Sequence, residues 1–276
     1  DTDEAGVLGT TVIGNSTTTS IDFQEDLYSF GTGTTNIQAA TGHTIDATKD
    51  SDTIEFKTAG TAITFETGDI DLDDDTNLSI TTAGGAITVF GIDGDSDETV
   101  TINADGGSTS TETVSIGNVG DSNHTQIHNL TITADDGITL TGEIYTSADS
   151  SSAGDVTFND KIIIDGAVVI DTVNSSNDGA INLSTNTINA EGNGTDSLTL
   201  TSGGGTITMS GIVGGTAPLD GFIVNADALT IASNITTDGG LIDINAAVTL
   251  SGSNTISTGS GGGNIEFGST VDNGNV

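Results

Sequence analysis

Residues 198–209 read Leu198-Thr199-Leu200-Thr201-Ser202-Gly203-Gly204-Gly205-Thr206-Ile207-Thr208-Met209. Apolar and polar residues alternate, a glycine run interrupts them, and the alternation resumes. Period two sends Leu198 and Leu200 to one side of an extended chain and Thr199 to the other, so each phrase reads as a short strand with one buried face. Threonine, isoleucine and valine favour extended backbone because β-branching restricts χ1. The glycines supply the positive φ that tight turns need.

The phrase recurs along the chain. Ile54-Glu55-Phe56, Ile63-Thr64-Phe65, Ile87-Thr88-Val89, Val100-Thr101-Ile102, Leu130-Thr131-Ile132, Val156-Thr157-Phe158, Leu229-Thr230-Ile231 and Ile265-Glu266-Phe267 are examples. Gly, Asn or Asp separates them. No window of about 11 residues carries a 3.6-residue apolar stripe, so helix is expected to be nearly absent. Two all-β architectures fit: a right-handed parallel β-helix, or β-solenoid, and a string of tandem antiparallel sandwiches. The strands are shorter than those of most sandwiches, there is no Trp to fill a broad two-sheet core, and the self-similarity has the period of a solenoid. At about 23 residues per coil the chain makes on the order of 11–12 coils, a rod roughly 55 Å long.

Residues 1–50 are less regular and hold Phe23, Tyr28 and Phe30 close together. They read either as an N-terminal cap or assembly segment over the first coil, or as an irregular first coil. Residues 51–276 read as the repeat rod. The final stretch, 196–276, is the most regular and glycine-rich. The chain opens with Asp1 and shows no basic, then apolar, leader, which reads as a mature or excised product.

Charge narrows the function. The 276 residues carry 40 Asp+Glu against 3 Lys and no Arg, a formal charge of −37. Polyphosphate and anionic membranes are repelled, so nucleic acid and membrane surfaces are excluded as partners. No run of about 18 apolar residues spans a bilayer. Without cysteine there is no disulfide, zinc–thiolate site or thiol nucleophile. The acidity fits solubility in salty surroundings or binding of divalent cations.

Gly211 to Leu219 (GIVGGTAPL), Ala228 to Ile244 (ALTIASNITTDGGLIDI) and Ala246 to Gly274 (AAVTLSGSNTISTGSGGGNIEFGSTVDNG) resemble the tandem repeats of giant bacterial surface proteins. These are the β-strand-repeat, filamentous-haemagglutinin-like adhesins, and residues 54–195 resemble them more loosely. The resemblance implies secretion, a parallel β-helix, and a role as stalk or adhesive fibre. Residues 1–50 do not match the secretion domain that opens those adhesins. No catalytic residue carries over.

Cation sites are sought where carboxylates recur at alternating positions, because hard cations take oxygen ligands. Asp93, Asp95, Asp97 and Glu98 form one candidate for Ca²⁺; Asp71, Asp73 and Asp75, with Asp69 and Asp74 alongside, form another. Both also read as solvated acidic turns. The first is no EF-hand, since Glu98 stands where the loop needs Gly and Ala104 where it needs Glu. His124 and His128 read as exposed polar residues. Asn15, Asn77, Asn123, Asn129, Asn174, Asn182, Asn193 and Asn234 occupy Asn-x-Ser/Thr sequons, at a density such a Ser- and Thr-rich chain reaches by chance. Val7, Leu8, Val12 and Ile13 form an apolar segment able to add a strand to another copy. With no Arg to stabilise a carbanion, polysaccharide-lyase chemistry is disfavoured and no catalytic residue is assigned. The expectation is therefore a non-enzymatic, extracellular structural protein that polymerises with itself and has no cofactor. The alternative is a Ca²⁺-dependent adhesin domain binding glycans or another cell surface.

Overall fold

The computed structural model describes residues 10–48, 52–73, 75–95, 97–106, 111–121, 126–146, 153–174, 177–184, 187–192 and 195–274. Among them there is no helix, and the strands pair in parallel. Pairing partners lie one coil apart: Thr11–Gly14 pairs with Thr35–Gln38, that strand with Ile63–Phe65, and that with Ile87–Asp93. The chain winds as a β-solenoid of about 10 turns. Each turn lays down three short segments, one on each of three faces, in the order first, second, third. The sandwich alternative is set aside by this parallel pairing.

The coils are fewer than the repeat suggests, and uneven in length. Thr11 pairs with Thr35 and Thr35 with Ile63, the second step being the longer. Near the C-terminus Leu229 pairs with Val248, a much shorter step than either. Corner insertions lengthen the early coils. About 10 turns make a rod on the order of 48 Å at one strand spacing per turn.

Parallel, in-register pairing stacks each inward residue on its counterpart. On the first face the column runs Ile63, Ile87, Val114, Ile138, Ile162, Ile188, Val213, Ile235. All eight are buried. On the third face Ile54, Leu78, Val100, Leu130, Val156, Ile181, Ile207, Leu229 and Val248 do the same. Phe56, Phe65, Phe158 and Phe222 are the largest fully buried side chains of this core.

Ile21–Phe23 pairs with Ile45–Ala47, and Leu27–Phe30 with Thr53–Thr58. The aromatic cluster of the first coil is continuous with the core: Phe23 meets Tyr28 and Phe56 edge-on at 4.7 and 4.9 Å between ring centroids, and Tyr28 stacks on Phe56 at 5.4 Å. Such pairs add to the area they bury.

The corners repeat a chemistry of their own. In Thr58-Ala59-Gly60-Thr61, Ser202-Gly203-Gly204-Gly205 and Thr237-Asp238-Gly239-Gly240, the first hydroxyl donates to the fourth carbonyl at 2.5, 3.0 and 2.8 Å. Thr82 does the same to Gly85. These hydroxyls point inward, and the local bond satisfies them where water is absent. The third residue sits at φ +88° in Gly60 and +81° in Gly239, where a Cβ is strained. At Gly240 the limit is spatial: a Cβ would overlap the Asp220 carbonyl of the preceding coil.

Two substitutions test this core. Phe158→Ala removes a fully buried ring and is expected to cost about 3–5 kcal/mol in denaturant unfolding. Thr35 precedes Ile63 in the first-face column, fully buried, with a hydroxyl that has no hydrogen-bond partner. Thr35→Val keeps the shape and removes that unsatisfied group, so it is expected to stabilise the chain by about 1–3 kcal/mol.

Candidate functional site

The second face stacks aspartates. Asp22 pairs with Asp46, Asp46 with Asp71, and Asp71 with Asp93. The two acidic clusters of the sequence, around Asp71 and around Asp93, thus lie on adjacent coils of one outward column. Like charges directly opposite on parallel strands repel. Hydroxyl and amide donors offset part of the charge: Asp22 accepts from Thr48 Oγ1 at 2.7 Å and from Gln24 Nε2 at 2.5 Å, and Asp46 from Thr44 Oγ1 at 2.5 Å. Partial burial raises the Asp71 pKa above the ordinary carboxylate value, and the charges of Asp46, Asp73, Asp95 and Asp69 raise it further. Burial raises that of Asp69 too, against a lowering backbone hydrogen bond.

Farther along, the same column changes character. Tyr145 pairs with Asp171, Asp171 with Thr201, Thr201 with Asn225, and Asn225 with Asn245. Asn245 Nδ2 donates to Asn225 Oδ1 at 3.1 Å, and Asn225 Nδ2 to Thr201 Oγ1 at 3.4 Å. An amide ladder replaces the carboxylate ladder.

The remaining cation candidates flank that column. Asp73, Asp75, Asp95 and Asp97 are exposed at the corner between second and third faces. Asp75 is the one described non-glycine residue with positive φ, 61°. Glu98 is buried, and Oε2 accepts the N–H groups of Asp95 at 2.9 Å and Asp97 at 3.2 Å. Its backbone carbonyl accepts from His128 and Asn129 of the next coil at 2.8 and 3.2 Å. Glu98 therefore ties a turn together. Among the described residues no group of three or more His, Cys, Asp or Glu side chains is placed to hold a metal ion. Asp74 and His124 lie outside the described residues. His128, expected to be exposed, is buried, because the inward turn at Glu98 draws it under the corner.

A set of side chains that the sequence reading assigned no such part clasps coil to coil. Asn77 Oδ1 accepts the Thr99 N–H at 2.7 Å, Asn129 Oδ1 that of Asp155 at 2.9 Å, Asp155 Oδ1 that of Ala180 at 2.7 Å, and Asn234 Oδ1 that of Thr255 at 2.8 Å. Buried Asp196 bridges two glycine N–H groups, Gly166 at 2.8 Å and Gly192 at 3.0 Å. The usable signal is an Asn or Asp directly before the alternating phrase, as in Asn77-Leu78-Ser79 and Asn129-Leu130-Thr131. Three of the clasps, Asn77, Asn129 and Asn234, are sequon asparagines.

The first and last described coils differ from those between them. At the N-terminal end Val12 is 60% exposed and Ile13 is partly buried against the core, both in the strand Thr11–Gly14 that already pairs with Thr35–Gln38. Val7 and Leu8 lie outside the described residues. At the other end Ile265, Phe267 and Val271 are 41%, 37% and 43% exposed, although they continue inward columns whose previous members, Ile242, Ile244 and Val248, are at most 1% exposed.

Comparison with family models, curated proteins and solved structures found no match.

The aspartate ladder sets a pH dependence. Raised native pKa values mean that the folded chain binds protons more tightly than the unfolded one. This contribution is complete below the unfolded carboxylate pKa and is lost as pH rises through the folded values. Melting temperature is therefore expected to rise as pH is lowered from neutrality toward the ordinary carboxylate range. Asp71→Asn is expected to raise it at neutral pH and flatten the profile. A melting temperature that falls from the start of acidification, unchanged in Asp71→Asn, contradicts this reading.

Proposed function

We propose that this chain is a secreted structural protein, the repeat rod of a cell-surface fibre, sheath or adhesin stalk that associates end to end with other copies. The supporting observation is the in-register ladder itself: each coil repeats the one before it, and Ile265, Phe267 and Val271 continue the columns of buried Ile242, Ile244 and Val248. The backbone edge of the last described coil repeats the hydrogen-bonding pattern of each coil beneath it. A further coil laid in register would bury these side chains and pair those groups. The first coil of a second copy offers a matching set: Ile21-Asp22-Phe23 has the same apolar–acidic–apolar order as Ile265-Glu266-Phe267. Association of one end with the opposite end does not close on itself, so it propagates as a filament.

The mechanical role follows from the ladder. Load along the rod is shared among hydrogen bonds at every coil and the stacked aliphatic columns, with no disulfide needed. Outward Thr, Asn and Asp keep the shaft wetted, and the net charge discourages indiscriminate sticking.

A second reading, a Ca²⁺-dependent adhesin domain binding glycans or another cell surface, draws support from the stacked Asp46, Asp71 and Asp93. Divalent cations condensed along that column would relieve its repulsion. EDTA separates the readings: loss of fold or adhesion on chelation favours the second, and indifference favours the plain rod.

End-to-end growth is tested by Ile265→Asp combined with Phe267→Asp. Both side chains are already exposed, so the rod is expected to keep its circular dichroism while negative-stain filaments shorten to single rods. Filaments of unchanged length in the double variant, or single rods from the parent chain at every concentration, would overturn the proposal.

A further inference from the structure

Phenylalanine in this chain belongs inside. Of the eight, Phe23, Phe56, Phe65, Phe158 and Phe222 are buried, and Phe30 packs partly against the core. Phe267 lies in the last described coil. Phe90 alone is held open in the middle coils, 49% exposed. Both tyrosines are otherwise engaged: Tyr28 stacks on Phe56, and the Tyr145 hydroxyl donates to Glu143 at 3.1 Å. Phe90 stands outward in the strand Ile87–Asp93, where the first face gives way to the second.

In the same outward column Glu66 lies one coil below, Gly117 one coil above and Thr141 above that. Each follows a member of the buried series Phe65, Val89, Ile116, Leu140. Glycine is imposed at 117 because a Cβ there would overlap the Phe90 carbonyl. The missing side chain opens a groove of about 280 Å³ beside Phe90, lined also by Glu66, Thr88, Ser115, Asn118 and Thr141. Asn36 Nδ2 donates to Glu66 Oε1 at 2.6 Å and holds that carboxylate from below. Among the described residues, Glu66 Oε2 and the hydroxyls of Thr88 and Ser115 have no internal partner. A second carboxylate, Asp69, fills the space that a Cβ on Gly91 would take. The groove thus sets one aromatic ring beside a held carboxylate and unused oxygen acceptors.

We propose that this groove binds a guanidinium group, presented by an arginine of a partner molecule. A guanidinium is planar, stacks on an aromatic face and forks its N–H donors toward a carboxylate. Phe90 supplies the ring, Glu66 Oε2 the charged acceptor, and Thr88 and Ser115 lone pairs for further N–H groups. Charge selects the occupant: a chain at −37 steers a cation in and repels an anion. An ammonium would meet the carboxylate but bring no plane to stack on the ring. The chain contains no Arg, so the occupant is a different molecule rather than another copy. The contact lies on the side of the rod and is independent of end-to-end growth.

The probe is N-acetyl-arginine amide, titrated into the full chain at about 0.15 M salt, where the general attraction of an acidic rod is screened. Ring currents are expected to shift the side-chain protons of the probe upfield in NMR spectra, with saturation in the millimolar range that one anchoring side chain allows. Phe90→Ala is expected to abolish the shift and, because the ring is half exposed, to keep the circular dichroism. Glu66→Gln is expected to weaken binding at least about fivefold. Asp227→Asn removes the same charge from an exposed position several coils away and is expected to change affinity less than about twofold. N-acetyl-lysine amide is expected to bind at least about threefold more weakly than the arginine probe. The proposal is overturned by arginine binding that survives Phe90→Ala, by equal losses in Glu66→Gln and Asp227→Asn, or by equal binding of the lysine probe. A response of Phe90 to methyl glucoside and not to the arginine probe overturns it as well.

Discussion

One constraint governs this molecule: each coil must lie in register on the one before it. The backbone groups of a coil find their partners only in its neighbours, so pairing and stacking are the same event. A one-residue slip would turn every inward isoleucine outward and every threonine inward. The aliphatic columns hold register from inside, since Ile63, Ile87, Val114 and Ile138 each sit on a near-identical shape. The clasps hold it from outside, through Asn77, Asn129 and Asp155, each reaching one coil ahead. Glycine at the corners permits the close approach that pairing requires, as at Gly240 against Asp220.

The same constraint turns composition into surface pattern. Whatever occupies an outward position is repeated along the rod wherever the sequence repeats it. Asp22, Asp46, Asp71 and Asp93 become a charged ladder, Thr201, Asn225 and Asn245 a hydrogen-bonded ladder of hydroxyl and amide groups, and Thr101, Thr131 and Thr157 a neutral one. Each has a different consequence: the first stores repulsion that protons or cations relieve, the second adds coil-to-coil cohesion, and the third leaves hydroxyls facing outward.

Much of this was legible in the residues. Period-two phrases identified the inward positions, and Ile54, Phe56, Ile63 and Phe65 are all buried as that pattern requires. The solenoid followed from short strands and few aromatics. What escaped was the alignment between coils. It depends on corner lengths, which make the step from Thr35 to Ile63 long and the step from Leu229 to Val248 short. Without those lengths nothing in the sequence says that Asp71 meets Asp93. Nor does the sequence distinguish Glu98, which turns inward to accept two backbone N–H groups, from Asp97 beside it, which faces water. The coil count, expected at 11–12 from an average of about 23 residues per coil and found at about 10, missed for the same reason: a repeat in pattern need not be a repeat in length.

The chain contains no cysteine, so paired spin labels can be placed at will, and distances along one column test the winding directly. Thr101 and Thr230 are remote in sequence and lie five coils apart on the third face. Double electron–electron resonance between cysteines at these positions should give a narrow distribution at about 24 Å, and moving the second label to Thr249 should add about 4.8 Å. A broad distribution, or a distance that does not grow by one strand spacing per coil, would contradict the stacked-coil structure and remove the basis of the proposed mechanical role.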